Sequence, residues 1–356
     1  VNVDLDAIGD ITVSGPILAT ASGGSNVGAD GSVQIGLFAS GASADVTVGG
    51  VIDVNVATQS RFSVGAVNLI AARHVSFGDV QINANGSGSD GSAILGVTAF
   101  NGDINGGNID IDVGPAFDDA IVNVNLGAGS GAVSVGAVDI TASGGDDARI
   151  NLTGNARNSI NVNGPVLAVA TGGPQPATGT ADVLIDFNVA DGGISVNGNV
   201  VAEASADYGE AEVLFTTGVS GTGGDINVIG RVEARATMTS YASIAAVELQ
   251  ALGSTGDINV TGDVIAANID IFVDPFCCTN DALVDIDAVA GSVTVGGQVQ
   301  ALAVGLDSDG ATAEVFVDAL NNVVLSGGIT ADAQSTDNPV LASIVVNSGG
   351  NLTVGP

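Results

Sequence analysis

The residues best equipped for chemistry in this chain are acids. Asp307-Ser308-Asp309-Gly310 opens like a calcium loop, with alternate carboxylates and a glycine for the turn. No third ligand or closing bidentate glutamate follows at the spacing such loops need, and the Gly-Gly-x-Gly-x-Asp arrays of calcium-binding β-rolls are absent. Asp307 and Asp309 are therefore an incomplete calcium candidate set against an ordinary Asp-Gly turn, and no other cofactor is indicated. Cys277 and Cys278 are the only cysteines and are adjacent. In an oxidising compartment they would close a vicinal ring or link to another chain; two plain thiols are the alternative. A metal centre lacks ligands, because the sole histidine, His74, is far away in sequence and a structural role suits it.

Enzymatic readings fail on composition. Lyase chemistry on acidic polysaccharides needs basic groups to neutralise the substrate and take a proton. The chain has no lysine, and its six arginines are scattered. A glycosidase needs two carboxylates about 5–9 Å apart in a cleft, and among 39 acids chance pairs are unavoidable. There is no Trp to form a sugar platform and only two Tyr. No nucleophile elbow, phosphate loop or dinucleotide fingerprint occurs, so the expectation is a protein that is not an enzyme. A net charge of −33 disfavours nucleic acid and anionic membranes as partners. No apolar run reaches the roughly 20 residues of a membrane span, so membrane insertion is not expected.

What positions these groups is a repeat. Phrases such as Gly256-Asp257-Ile258-Asn259-Val260-Thr261-Gly262-Asp263-Val264 return about every 31 residues, the period of a solenoid. Anchoring on the first large apolar residue gives Ile11, Val46, Val75, Ile104, Val133, Ile160, Ile194, Ile226, Ile258, Val293, Val323 and Leu352. Each unit reads as three strands: the anchor strand, a second strand after a glycine corner, and a third after a variable loop. Alternation of apolar and polar residues at period two supports each. The coil around Phe62 and Val64 parses least well. The expected fold is all-β: one right-handed parallel β-helix, or β-solenoid, of about 11 coils with three strands each and uncapped ends. The domain expectation is one continuous solenoid over 1–356, with sub-blocks 1–159 and 160–356 distinguished by corner length.

Stacking coils makes equivalent positions neighbours. Asp110 lies beside Asp139, and charges about 4.8 Å apart repel by about 0.9 kcal/mol in water. In the opposite sense, Arg235 falls over Glu203 and Arg231 beside Asp263, which are exposed ion pairs of about 0–1 kcal/mol. Open strand edges at Val1-Gly9 and Gly350-Pro356 are expected either to continue into a longer solenoid or to support end-to-end self-association.

The repeated Gly-Asp-Ile-Asn-Val-x-Gly-x-Val phrase, rich in Asn, Gly, Val and Ala, resembles the repeats of filamentous-haemagglutinin-like and autotransporter-type β-helical bacterial exoproteins. The resemblance implies export, an extracellular or cell-surface location, and a structural or adhesive role. An adhesin would bind host or matrix glycans through the loops at 20–32, 171–182 and 269–283.

Overall fold

In the computed structural model all residues are described except 24–29, 59–61, 87–89, 115, 117, 174–178, 239–242, 271–279, 306–309 and 336–338. Every regular element among the described residues is a β-strand, and the described strands pair in parallel. The fold is a β-solenoid with three strands per coil, each strand joining one of three sheets. No helix among the described residues is long and apolar enough to cross a membrane. The chain divides into two compact units, Val1–Asn163 with Ala168–Gly179, and Gly164–Leu167 with Thr180–Pro356.

In the first unit, sheet A is built from Asn2–Ala7, Gly31–Ala39, Phe62–Ala71, Asp90–Ala99, Ala120–Ala128 and Ala148–Ala156, each paired with the next. The anchor strands form sheet B, with Ile11 beside Val46, Val46 beside Val75, and Val75 beside Ile104. The strands after the glycine corner form sheet C, with Ile52 beside Val80 and Val80 beside Ile109. The second unit repeats the plan, and its sheet A contains Thr180–Val189, Tyr208–Thr217, Ser243–Ala251, Asn280–Ala288, Ala311–Ala319 and Val340–Ser348.

Period-two alternation sends Val, Ile, Leu and Ala inward from all three sheets. Leu37, Leu69 and Val97, register neighbours on successive coils, are each 0% exposed. Burying such a side chain is worth about 1.5–3 kcal/mol, so the inward rows carry the fold. At the corner where sheet A ends, the inward residue is alanine on successive coils: Ala39, Ala71, Ala99 and Ala128. The sharp bend leaves room for little more than a methyl group. In the second unit Phe187 and Phe215 occupy neighbouring inward positions. Their rings stack with centroids 5.1 Å apart and planes 6° from parallel, because parallel strands place like residues about 4.8 Å apart.

The strand of the hard-to-parse coil is regular. Phe62–Ala71 pairs along its length with the strands on both sides. Its apolar pattern is blurred because Phe62 and Val64 face outward while Ser63 and Gly65 face inward. The buried Ser63 hydroxyl is satisfied by Thr58, with the two oxygens 2.7 Å apart. Gly65 has a packing reason: a methyl there would lie 2.7 Å from the Ile82 side chain.

A second glycine column stands two residues before the anchors. At Gly102 an added Cβ would lie 2.5 Å from the Arg73 carbonyl oxygen of the preceding coil. At Gly131, Gly224 and Gly291 it would overlap the carbonyl oxygen of Gly102, Gly192 and Gly256 respectively. These glycines are required by close approach of backbones, whatever their φ.

Candidate functional site

The most organised polar feature is a column of side-chain acceptors immediately before the anchor strands. In the first unit Asp10 Oδ1 accepts the Asp45 N–H at 3.0 Å, and Asp45 Oδ1 accepts the His74 N–H at 3.0 Å. His74 Nδ1 accepts the Asp103 N–H at 2.9 Å, and Asp103 Oδ1 accepts the Ala132 N–H at 2.9 Å. The second unit continues the device through Asp225, Asp257, Ser292 and Asn322. A shorter column precedes the sheet C strands, where Asp79, Asn108, Asn199 and Asp263 each serve the next coil. Corners expose backbone N–H groups that no strand partner satisfies, and on these coils a side-chain acceptor meets that need. These acids and amides hold coil to coil; they do not converge on a substrate.

His74 belongs to this column, as a structural histidine would. Because Nδ1 accepts, the neutral ring carries its proton on Nε2. Asp45 is gripped from the same side: Arg73 donates from Nε to Oδ1 at 2.9 Å and from Nη2 to Oδ2 at 2.5 Å. That pairing is the main cause that lowers the Asp45 pKa, from 3.8 to about 2, and the His74 N–H adds to it.

The cross-coil arginines fall where the repeat places them in backbone terms, and Glu203 pairs in register with Arg235. Their guanidinium groups, however, converge on Glu233. Arg231 Nη1 lies 3.0 Å from Glu233 Oε2, an ion pair without hydrogen-bond geometry. Arg235 Nη2 lies 3.0 Å from Oε1, to which Arg235 Nε donates at 3.1 Å. Glu233 is 3% exposed beneath the two arginines, between Val201 and Ile265 in register. Residues two apart on a strand share a face, so a same-strand partner competes with a cross-coil one. Asp263 instead gives its carboxylate to the Gln298 N–H at 2.8 Å, while its carbonyl accepts from Val232 N–H at 2.9 Å.

Asp110 and Asp139 are register neighbours. The Asp139 pKa is raised, first by burial and then by Asp110 and Asp112. In the second unit, burial likewise raises Asp186, Glu212, Asp285 and Asp287, with neighbouring acids adding to the last three. Among the described residues no group of three or more His, Cys, Asp or Glu is arranged to hold a metal. Asp307, Asp309, Cys277 and Cys278 lie outside the described residues, and so do parts of the three candidate adhesive loops.

Three inward residues on the first and last strands are more exposed than their register neighbours. Leu5, inward on Asn2–Ala7, is 44% exposed although its neighbour Leu37 is 0% exposed. Ile344 is 46% exposed beside Val315 at 0%, and Leu352 is 50% exposed beside Val323 at 0%. Compared with protein families, curated proteins and solved structures, the chain finds no match.

Proposed function

We propose that this chain is a structural β-solenoid, an element of an extracellular filament or stalk that grows by coils stacking on open coil faces. The observation that carries the reading is the parallel ladder of all three sheets, in which each coil pairs in register with the next. The edge of such a ladder accepts a further strand, so a stacked coil continues the backbone pairing and the inward rows together. In repeat arrays these neighbour interfaces supply much of the stability. The resemblance to bacterial exoprotein repeats supports an extracellular location, and the acid-rich, lysine-free composition suits a solvated scaffold.

Negative-stain electron microscopy and sedimentation across a concentration series test the reading. Filaments that lengthen with concentration are expected. A Cβ at Gly9 meets nothing within 4 Å, so Gly9→Trp should leave the first unit folded and block stacking on its open face. A wild-type chain that remains single particles at every concentration would overturn self-stacking.

A further inference from the structure

The outward face of sheet A differs between the units. In the first unit outward amides and hydroxyls such as Gln34, Asn68, Thr98, Asn123, Asn125 and Asn151 are mixed with the apolar Phe38, Phe62, Val64, Ile70, Ile94 and Ile121, and acids are few. In the second unit Leu184, Leu214, Ile244, Leu283 and Phe316 also face outward, but here acids are many. Acids interleave with them. Along one row Asp186, Leu214, Glu248, Asp285, Phe316 and Val345 are successive register neighbours, and the adjoining row runs through Asp287 and Asp318. None of the six strands contains lysine or arginine. Around Phe316 the face dips into a shallow groove of about 290 Å³, lined by Asp285, Asp287, Asp318, Val345 and Asn347.

An outward sheet face needs polar residues for solubility, but it has no need of half-buried Leu and Phe set among carboxylates. The geometry points to this face as a docking surface for a basic, amphipathic polypeptide, whose alternating apolar and Lys or Arg side chains match the rows and whose cation enters the Phe316 groove. An aromatic face flanked by carboxylates attracts a desolvated cation from both sides. The partner is not a second copy, since a chain of net charge −33 with no lysine repels this face. The available area is about 700–850 Å² from strand spacing and rise, close to the roughly 800 Å² per partner of a standard interface, and its ladder shape fits a single extended segment. The raised pKa values of Asp285 and Asp287 show carboxylates already crowded and partly desolvated, a condition that an incoming cation relieves. This surface goes beyond the stacking reading and stands whether or not coils associate.

The test is titration calorimetry of the full chain with an alternating Leu-Lys peptide and with decalysine, at two salt concentrations. The alternating peptide is expected to bind tighter. Asp285→Asn, Asp287→Asn and Asp318→Asn together should weaken it about tenfold or more, as loss of paired charges implies. Phe316→Ser should weaken the alternating peptide and spare decalysine. As a control of equal charge, Asp110→Asn, Asp112→Asn and Asp139→Asn alter acids of sheet C in the first unit. Equal weakening by both triple variants would reduce the effect to general polyelectrolyte attraction and overturn the proposal. Displacement of the peptide by submillimolar calcium would also overturn it, in favour of a cation site.

Discussion

Replacing Gly102 by alanine is expected to cost about 3 kcal/mol, whereas the same change at Gly9 should cost nothing. Both glycines stand two residues before an anchor. At Gly102 the new Cβ would lie 2.5 Å from Arg73 O, 2.7 Å from His74 Nδ1 and 2.8 Å from Arg73 C, all on the preceding coil. Restoring an ordinary contact of about 3.4 Å requires a separation of about 0.9 Å. The hydrogen bonds that tie these coils here are Asp103 N–H to His74 Nδ1 at 2.9 Å, Val75 N–H to Asp103 O at 3.0 Å, and Asn101 N–H to Ala72 O at 3.0 Å. Opened by that amount they pass beyond hydrogen-bonding range. Three bonds at about 1 kcal/mol each, or the equivalent strain if they hold, give the estimate. At Gly9 a Cβ meets nothing within 4 Å. Alanine there should be neutral, or stabilising by up to about 1 kcal/mol through the unfolded chain. Urea unfolding followed by circular dichroism gives the comparison. Hydrogen exchange over residues 72–76 and 100–104 is needed beside it, because repeat arrays can open locally. Equal midpoints and equal exchange for the two variants would refute the argument that backbone contact imposes glycine in this column.

Phe215→Ala should destabilise the second unit by about 3–5 kcal/mol through the cavity, and Phe215→Leu by clearly less; urea midpoints of the two variants check the order. His74→Asn should keep an acceptor for the Asp103 N–H, whereas His74→Ala should lose about 1 kcal/mol and speed exchange of that amide. Asp119, Asp139, Asp186, Glu212, Asp285 and Asp287 have raised pKa values, chiefly through burial. The folded chain therefore binds their protons more tightly than the unfolded chain, and stability should rise as pH falls from neutral toward 3.8 for Asp and 4.5 for Glu. Asp45 has the opposite sign: its contribution is present above 3.8 and fades as pH falls through about 2. Calorimetric scans should show Tm rising as pH is lowered from neutral toward 4.5, and a steady fall over that range would contradict the burial of these acids.

The repeat made the fold readable, since one correct anchor per coil sets the register of every strand. Asp110 beside Asp139 and Glu203 beside Arg235 follow from counting alone. Strand length was less legible. The large apolar residues Val183, Ile185 and Phe187 mark only the middle of Thr180–Val189, because Thr180 and Ala181 extend the ladder without a large apolar side chain. The arginine partner was missed because same-strand spacing, two residues, carries no repeat signature. The acceptor column was visible as Asp10, Asp45, Asp103, Asp225 and Asp257 before the anchors Ile11, Val46, Ile104, Ile226 and Ile258, yet those residues read equally well as surface charge. Asn268 left no trace in the pattern. It is fully buried in the second unit, donates to the Ser243 and Asp281 carbonyls, and accepts from the Ser243 hydroxyl.

The acceptor columns also run in one direction. Asp10 serves Asp45, 35 residues later, and Asp45 serves His74, 29 residues later; the side-chain acceptor always belongs to the earlier coil. During synthesis each acceptor thus leaves the ribosome before the amide it will hold exists. If coils form in chain order, each has only one repeat to close against a surface that already specifies its alignment, which would keep the entropic cost of closure small. An error in one corner would then pass to the coils that follow it.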